Sequence, residues 1–336
     1  MTSQRSLISA TVDWDADGYQ TGVLLLPHSH DTSAYGRIPI PVAVLKQGNG
    51  PTVLMTGGNH GDELEGPIAL MKIMQEMENW KINGRIIVIP GLNFPAFQKG
   101  TRTSPLDKGN LNRMFPGNRN GSLTEMIAHY VDTELFPISD VILDMHAGGA
   151  SFNHAPVLLA ALPEDTAQHD DYIKLVNAFN APTTMIMDLL GEDRTYGAAA
   201  ESHGKLFLCG EFGGGASCNP DYLQIVEAGL RRVLQALDVI SHAPAQQQSE
   251  TRLMKVKGAG HYLFSRGRGV FEPCFKLGDH VHPGQLAGRL FNIDAPWEAA
   301  TEHYFSQEGE IMVTRTFSHV VAGDCLAVIA SPSSWC

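Results

Sequence analysis

The hydrophobic positions in the first two-thirds of the chain follow two rhythms. Thr52-Val53-Leu54-Met55-Thr56 is a short, nearly unbroken apolar run, which predicts a strand buried on both faces. Behind it, residues 64–79 place Ile68, Met71, Met74 and Met77 at three-residue steps, which predicts an amphipathic helix with that stripe turned inward. Arg85-Ile86-Ile87-Val88-Ile89-Pro90 reads as the next strand. Residues 123–135 read as a helix, with Ser122 as N-cap and Glu125 three positions on, the pair that makes a capping box. Further strands are expected at 141–145, 184–187 and 206–211, and a last helix at 222–239. Strands alternating with helices predict an α/β fold with a mostly parallel sheet flanked by helices. In such sheets the chemistry gathers at the carboxyl ends of the strands.

The rhythm stops at Ala243-Pro244-Ala245-Gln246-Gln247-Gln248-Ser249-Glu250, a polar break without periodicity. The expected organisation is an α/β domain over 1–243, a linker over 244–250 and a smaller β-rich domain over 251–336. The last part contains an internal echo. Gly269-Val270-Phe271 with Leu277-Gly278-Asp279-His280-Val281 is matched by Gly309-Glu310-Ile311 with Ala322-Gly323-Asp324-Cys325-Leu326. The pattern resembles a biotinyl/lipoyl barrel-sandwich module. Such modules carry their cofactor on a hairpin lysine, and the last lysine here is Lys276, so a structural role as interface or lid is expected.

Composition narrows the partners. The 336 residues are 43% hydrophobic, enough for one large domain and a smaller one, each with its own core. Twenty-four Lys and Arg against 36 Asp and Glu give a net charge of −12, which opposes nucleic acid or an anionic membrane as the main partner. The stretch 147–163, free of these charges, includes Ser151, Asn153, His154 and Pro156 and does not read as a membrane span. The N-terminus has no apolar core of a signal peptide. Five cysteines, an odd number with no CxxC pair, fit a reducing cytoplasm.

The informative stretch is Gly57-Gly58-Asn59-His60-Gly61-Asp62-Glu63-Leu64-Glu65-Gly66, between a strand and a helix. His60 and Glu63 can converge on one cation, although a solvated turn histidine beside a helix-start glutamate has the same spacing. Val141-Ile142-Leu143-Asp144-Met145-His146-Ala147-Gly148 delivers a second imidazole, His146, to a strand end. Two histidines and a glutamate make the ligand set of a catalytic zinc. Asp144 either orients His146 or satisfies backbone. Glu211, in Cys209-Gly210-Glu211-Phe212-Gly213-Gly214-Gly215, is placed to act as general base and acid. Between these lies a long polar stretch from Arg102 to Gly117. Within it Asn112 and Arg113 can grip a carboxylate, and Arg102 can face an oxyanion. His280 and His282 alternate on one strand face; a solvated pair is expected there, and equally at His28 and His30.

Taken in order, Asn59-His60-Gly61-Asp62-Glu63, Asn110-Leu111-Asn112-Arg113-Met114-Phe115-Pro116-Gly117, Asp144-Met145-His146 and Glu211-Phe212-Gly213 resemble the succinylglutamate desuccinylase/aspartoacylase family. That family is a branch of the zinc carboxypeptidase-like amidohydrolases. The resemblance spans nearly the whole chain. Within the family the chain looks most like the branch that deacetylates Nα-acetyl-L-2,4-diaminobutyrate in ectoine breakdown. Arg102-Thr103-Ser104-Pro105-Leu106-Asp107 and Gly213-Gly214-Gly215 add to that likeness. It implies a zinc-carboxypeptidase-like sheet with a C-terminal all-β domain, and one Zn2+ per chain held by His60, Glu63 and His146. Glu211 would be the catalytic base and acid, Arg102 the oxyanion partner, and Asn112 and Arg113 the carboxylate site. The partner would be a small N-acyl amino acid, and the enzyme a homo-oligomer, dimer or tetramer. Asp188, Glu192 and Glu201 are the candidates to meet the side-chain ammonium of diaminobutyrate. Asn110 stands where aspartoacylases and desuccinylases carry aspartate, which weakens those two substrates. The competing readings are a deacylase of another N-acyl amino acid, a peptidase removing a C-terminal residue, and a non-catalytic metal-binding module.

Overall fold

The apolar runs become the centre of one large mixed sheet. The computed structural model describes residues 5–163, 165–187, 192–245 and 250–335. In chain order the first strands are β1 (Ser9–Ala10), β2 (Gly18–Pro27), β3 (Arg37–Gln47), β4 (Thr52–Gly57) and β5 (Gly84–Ile89). They are followed by β6 (Val141–His146), β7 (Phe152–Ala160), β8 (Thr183–Met187) and β9 (Leu206–Gly214). These nine lie in the order β1-β2-β3-β5-β4-β6-β9-β7-β8. Only the pairs β5–β4, β4–β6, β6–β9 and β7–β8 among them are parallel. The sheet is therefore more mixed than the strand–helix alternation implies. The ten-residue β2 and eleven-residue β3 form a long hairpin-like antiparallel flank that adds no intervening helix.

Among the described residues six helices cover the two faces: α1 (Glu65–Glu76), α2 (Phe94–Lys99), α3 (Leu123–Tyr130), α4 (His169–Phe179), α5 (Tyr196–Ser202) and α6 (Pro220–Ala236). Alternation along β4 sorts the core between them. Val53 and Met55 join one cluster with Ile73 of α1, Val176 of α4 and Leu230 of α6. Leu54 faces the other way, with Ile127 of α3 and Tyr196 of α5. The capping box at the start of α3 is present, Ser122 N donating to Glu125 Oε2 at 2.7 Å. The stripe expected on α1 is not its buried face. Ala69, Leu70, Ile73 and the following Met77 are buried, whereas Met71 is exposed. Steps of three residues fall about 60° short of a full turn in an α-helix, so such positions do not keep one face: Met71 is exposed, Ile68 and Met74 are half-buried, and Met77, past the end of α1, is buried.

The later strands are β10 (Arg252–Val256), β11 (Tyr262–Phe264), β12 (Gly269–Pro273), β13 (His280–Val281), β14 (Leu286–Phe291), β15 (Thr301–Tyr304), β16 (Gly309–Arg315), β17 (His319–Val320) and β18 (Cys325–Pro332). Four of them form a second sheet, β15-β14-β12-β17, packed through Phe271, Leu290, Ile311 and Ile329 against β16 and β18. The others extend the large sheet: β10 runs parallel to β8, then β18, β16 and the outermost β13 follow. β16 also returns to pair with β7, Val313 opposite His154. The path β7-β8-β10-β18-β16 thus closes into a ring filled by Val157, Met185, Met254, Met312, Val313 and Val328. Two of its strands come from before the polar break and three from after it. Among the described residues no helix is long and apolar enough to cross a membrane.

Candidate active site

Three neighbouring parallel strands, β4, β6 and β9, end side by side, with Gly57 opposite Met145 and His146 opposite Glu211. That register places the turn after β4, the last residue of β6 and Glu211 at one edge. The turn is shaped by its glycines. Gly58 adopts φ +64°, a left-handed conformation that favours glycine. A Cβ on Gly61 would lie 2.0 Å from the Ala96 carbonyl oxygen of α2, so only hydrogen fits there. Between them, His60 and Glu63 turn inward.

The result is a closed cluster. His60 Nδ1 lies 2.7 Å from Glu63 Oε1, and His146 Nδ1 lies 2.7 Å from Glu63 Oε2. Their exposures are 3%, 2% and 3% for His60, Glu63 and His146. The outer nitrogens of both rings meet acceptors: His146 Nε2 donates to Asp144 Oδ2 at 2.8 Å, and His60 Nε2 to Asn110 Oδ1 at 3.1 Å. A neutral imidazole that donates through Nε2 keeps a lone pair on Nδ1. A neutral ring of this kind turns its Nδ1 lone pair towards a cation, whereas a protonated one donates from Nδ1 to Glu63, to which both Nδ1 atoms lie at 2.7 Å. With both rings neutral, the two imidazole nitrogens and the carboxylate make a ligand set that fits a divalent cation. Asp144 is itself fixed, accepting from Thr56 Oγ1 at 2.7 Å and from Asn59 Nδ2 at 3.2 Å, with Tyr196 Oη 3.2 Å from the threonine oxygen. The Asp144 alternative left open by the sequence resolves towards orientation of His146.

Electrostatics follow the packing. Burial alone would raise the Glu63 carboxyl, but the His60 and His146 imidazoles hold it well below the usual range. Burial opposes protonation of His146, and Asp144 and then Glu63 more than offset it, so that its pKa is raised. Burial, reinforced by the Glu63 charge, pushes Glu211 up to about 8. Glu211 Oε2 is buried without a hydrogen-bond partner among the described residues.

Around the cluster stand the other candidates. Arg102 is half-exposed, with Nη1 3.3 Å from His60 Nδ1 and 3.7 Å from Glu63 Oε1. Asn112 Oδ1 accepts from Tyr196 N at 2.8 Å, so its carbonyl caps the start of α5 and only its Nδ2 end remains to donate to a ligand. Arg113 Nε lies 3.4 Å from Glu192 Oε2. The fork of Arg194 grips the same carboxylate at 2.8 Å through both oxygens and holds its pKa low. Glu192 is thus already matched by two arginines, Glu201 is exposed on α5, and Asp188 lies outside the described residues. His28 and His30 stack at 5.1 Å on an exposed turn, away from any ligand cluster found among the described residues.

One residue of this region went unread in the sequence. His154, on β7, packs over Gly148, whose added Cβ would come within 3.0 Å of its Cδ2. Its Nδ1 is buried without a partner, and burial pushes its pKa down to about 4. No local pattern marks it: only the β7–β9 pairing, His154 opposite Gly213, brings it to this edge.

Comparison with known proteins gives this arrangement a family. Residues 49–237 match the model of the succinylglutamate desuccinylase/aspartoacylase catalytic domain, a span that includes His60, Glu63, Arg102, Asn112, Arg113, His146 and Glu211. The chain belongs to the succinylglutamate desuccinylase/aspartoacylase family, and with it to the N-acyl amino acid deacylases. It is 39% identical over 325 residues to the N-alpha-acetyl-L-2,4-diaminobutyric acid deacetylase of Halomonas elongata, covering 97% of this chain and 95% of that one. Among solved structures it is similar to the product-bound ectoine utilization protein EutE (DoeB) of Ruegeria pomeroyi. That match has TM-score 0.93 and 37% identity, and covers 98% of this chain and 99% of the other. A succinylglutamate desuccinylase/aspartoacylase structure from Rhodobacter sphaeroides matches with TM-score 0.92 and 33% identity, over 98% and 100% of the two chains.

Proposed function

We propose that this enzyme hydrolyses the acetyl amide of Nα-acetyl-L-2,4-diaminobutyrate, with one zinc ion held by His60, Glu63 and His146. The observation that carries the chemistry is the buried convergence of two imidazole nitrogens and a carboxylate beside an unpartnered Glu211 oxygen. The substrate is supported by the Halomonas relative, alike over nearly the full length of both chains. A zinc ion in that nest supplies Lewis-acid polarisation of the amide carbonyl and acidifies a water molecule.

The chain's own residues do the rest. Glu211 accepts the proton of the attacking water as the new C–O bond forms. It returns that proton to the α-nitrogen as the C–N bond breaks, leaving acetate and the free amino acid. Arg102 offers its guanidinium to the carbonyl oxygen that gains charge. Arg113 and the Nδ2 of Asn112 bind the substrate carboxylate, the arginine exchanging Glu192 for it. Asp144 and Asn110 keep the histidine rings turned so that Nδ1 faces inward.

The division of the chain at 244–250 belongs to the same reading, supported by a hydrophobic cluster made only of residues 263–329. So does a zinc-carboxypeptidase-like α/β part with a barrel-sandwich-like C-terminal part. We also read the enzyme as a cytoplasmic homo-oligomer. Cys209, Cys218, Cys274 and Cys325 all being free supports the compartment, and Phe291, Ile293 and Trp297, exposed near the second sheet, support association.

The test is acetate release from Nα-acetyl-L-2,4-diaminobutyrate by zinc-loaded protein, with N-acetylaspartate in parallel and Glu211→Ala as control. Turnover of the first compound alone, lost in the variant, is expected. No turnover of either by protein shown to hold one zinc overturns the substrate and leaves a deacylase of another N-acyl amino acid.

A further inference from the structure

The C-terminal part carries a second cluster of two histidines and a glutamate, which the hydrolytic reading does not use. We propose that His280, His282 and Glu308 form a separate surface site for a borderline divalent transition metal ion. His280 Nε2 and His282 Nδ1 each lie 3.8 Å from the same oxygen, Glu308 Oε1, and the two rings are 5.0 Å apart. One ligand atom from each residue lies within 4.8 Å of the others. Ligand atoms around a tetrahedral zinc at ~2.1 Å sit about 3.4 Å apart, so closing this set needs only small rotations of exposed side chains.

The backbone beneath the site is already fixed. Strand alternation puts His280 and His282 on one face, with Val281 between them at 0% exposure in the core. His280 is paired with Glu310 of β16, and His282 N donates to Gln285 Oε1 at 3.1 Å. Glu308 immediately precedes β16. A metal ion here therefore ties the outermost, two-residue strand β13 to the start of β16, the strand whose other end pairs with β7. Two imidazoles and one carboxylate select zinc, copper or nickel over magnesium or calcium, which take oxygen ligands. The side chains are 54%, 64% and 63% exposed, so the remaining coordination positions are open to solvent and the affinity is expected to be modest.

Equilibrium dialysis against micromolar free zinc, with metal counted by mass spectrometry, tests this on the full chain. Wild type is expected to hold two ions per chain, the double variant His280→Ala/His282→Ala one, and His146→Ala one. Glu308→Gln is expected to weaken only the second ion. The acetate-release rate of the double variant should stay within about twofold of wild type when the buried site is loaded, since none of the three residues belongs to the hydrolytic centre. Copper added to His146→Ala should give an electron paramagnetic resonance spectrum with two coupled nitrogens, lost in the triple variant. A single ion in wild type, or a second ion that survives removal of both histidines, overturns the proposal.

Discussion

Two clusters in this molecule are built from the same three side chains, two histidines and a glutamate, in opposite surroundings. At His60, Glu63 and His146 every outer ring nitrogen meets a fixed acceptor, and the inner ones meet a carboxylate sealed from water. At His280, His282 and Glu308 nothing but strand alternation aligns the rings, and water reaches all of them. The difference lies in what surrounds the ligands. Buried ligand atoms are shielded from water and already aligned for a cation; exposed ones are solvated, so a cation there must displace water and order the side chains.

The largest way to sharpen this contrast is Glu211→Gln. It should lower kcat by about 10²–10⁴-fold while the buried metal stays bound, because it removes a proton carrier and no ligand. The exposed cluster has no such neighbouring base, so no variant there should approach that loss. Kinetics and metal analysis on the same sample check both halves, and a Glu211→Gln enzyme with near-normal kcat breaks the assignment.

Next comes Asp144→Asn. An amide can present its nitrogen to His146 Nε2 and disturb the tautomer that turns Nδ1 inward, so zinc affinity at the buried site should fall roughly 10–100-fold. Competition against a chelator measures this. The exposed pair has no equivalent partner, and its affinity should be unchanged in the same variant. Equal affinity at the buried site before and after would mean that burial alone makes the difference.

A smaller effect concerns His154, the neutral imidazole at the rim of the buried cluster. Its pKa is lowered to about 4 in the folded state, against about 6.5 unfolded, so between these values the unfolded chain binds more protons. Its linked stability is therefore intact above pH 6.5 and falls as pH drops towards 4, by at most roughly 3 kcal/mol. Urea unfolding at pH 7 and pH 5 should show a steeper loss in wild type than in His154→Gln. Parallel losses would remove His154 as the cause.

The smallest is Ser122→Ala, away from both clusters. Loss of the cap on α3 should cost about 1 kcal/mol in the same unfolding experiment with both metal sites untouched. A larger loss, or a change in zinc content, would show that α3 helps to hold the ligands.

The sequence showed the buried site far better than its support. β4, the turn that follows it and the end of β6 were legible because apolar runs stop abruptly at glycine and polar residues, a local signal. So was the capping box at Ser122. The outer acceptors were only partly legible: Asp144 lies two residues from His146, but Asn110 reaches His60 from fifty residues away. Thr56 and Asn59 join Asp144 only through the pairing of β4 with β6. Glu192, a reasonable partner for an ammonium by composition, lies between Arg113 and Arg194, a contact no spacing predicts. The long β2–β3 pair escaped although Val23-Leu24-Leu25-Leu26 and Val42-Ala43-Val44-Leu45 are apolar runs, because Pro27, Pro39 and Pro41 interrupt the strand pattern around them. The α1 stripe misled because three-residue steps drift off the true helical period.

The strand ring that spans the polar break has a practical meaning for anyone dissecting this protein. A fragment cut after residue 250 would keep every candidate catalytic residue, yet it would strip β10 from β8 and β16 from the start of β7. Two bare strand margins lined by Val157 and Met185 would then be offered to any neighbouring chain. Such a fragment is expected to collect in inclusion bodies to a greater extent than the whole chain, whose ring is closed by the β16–β7 pairing.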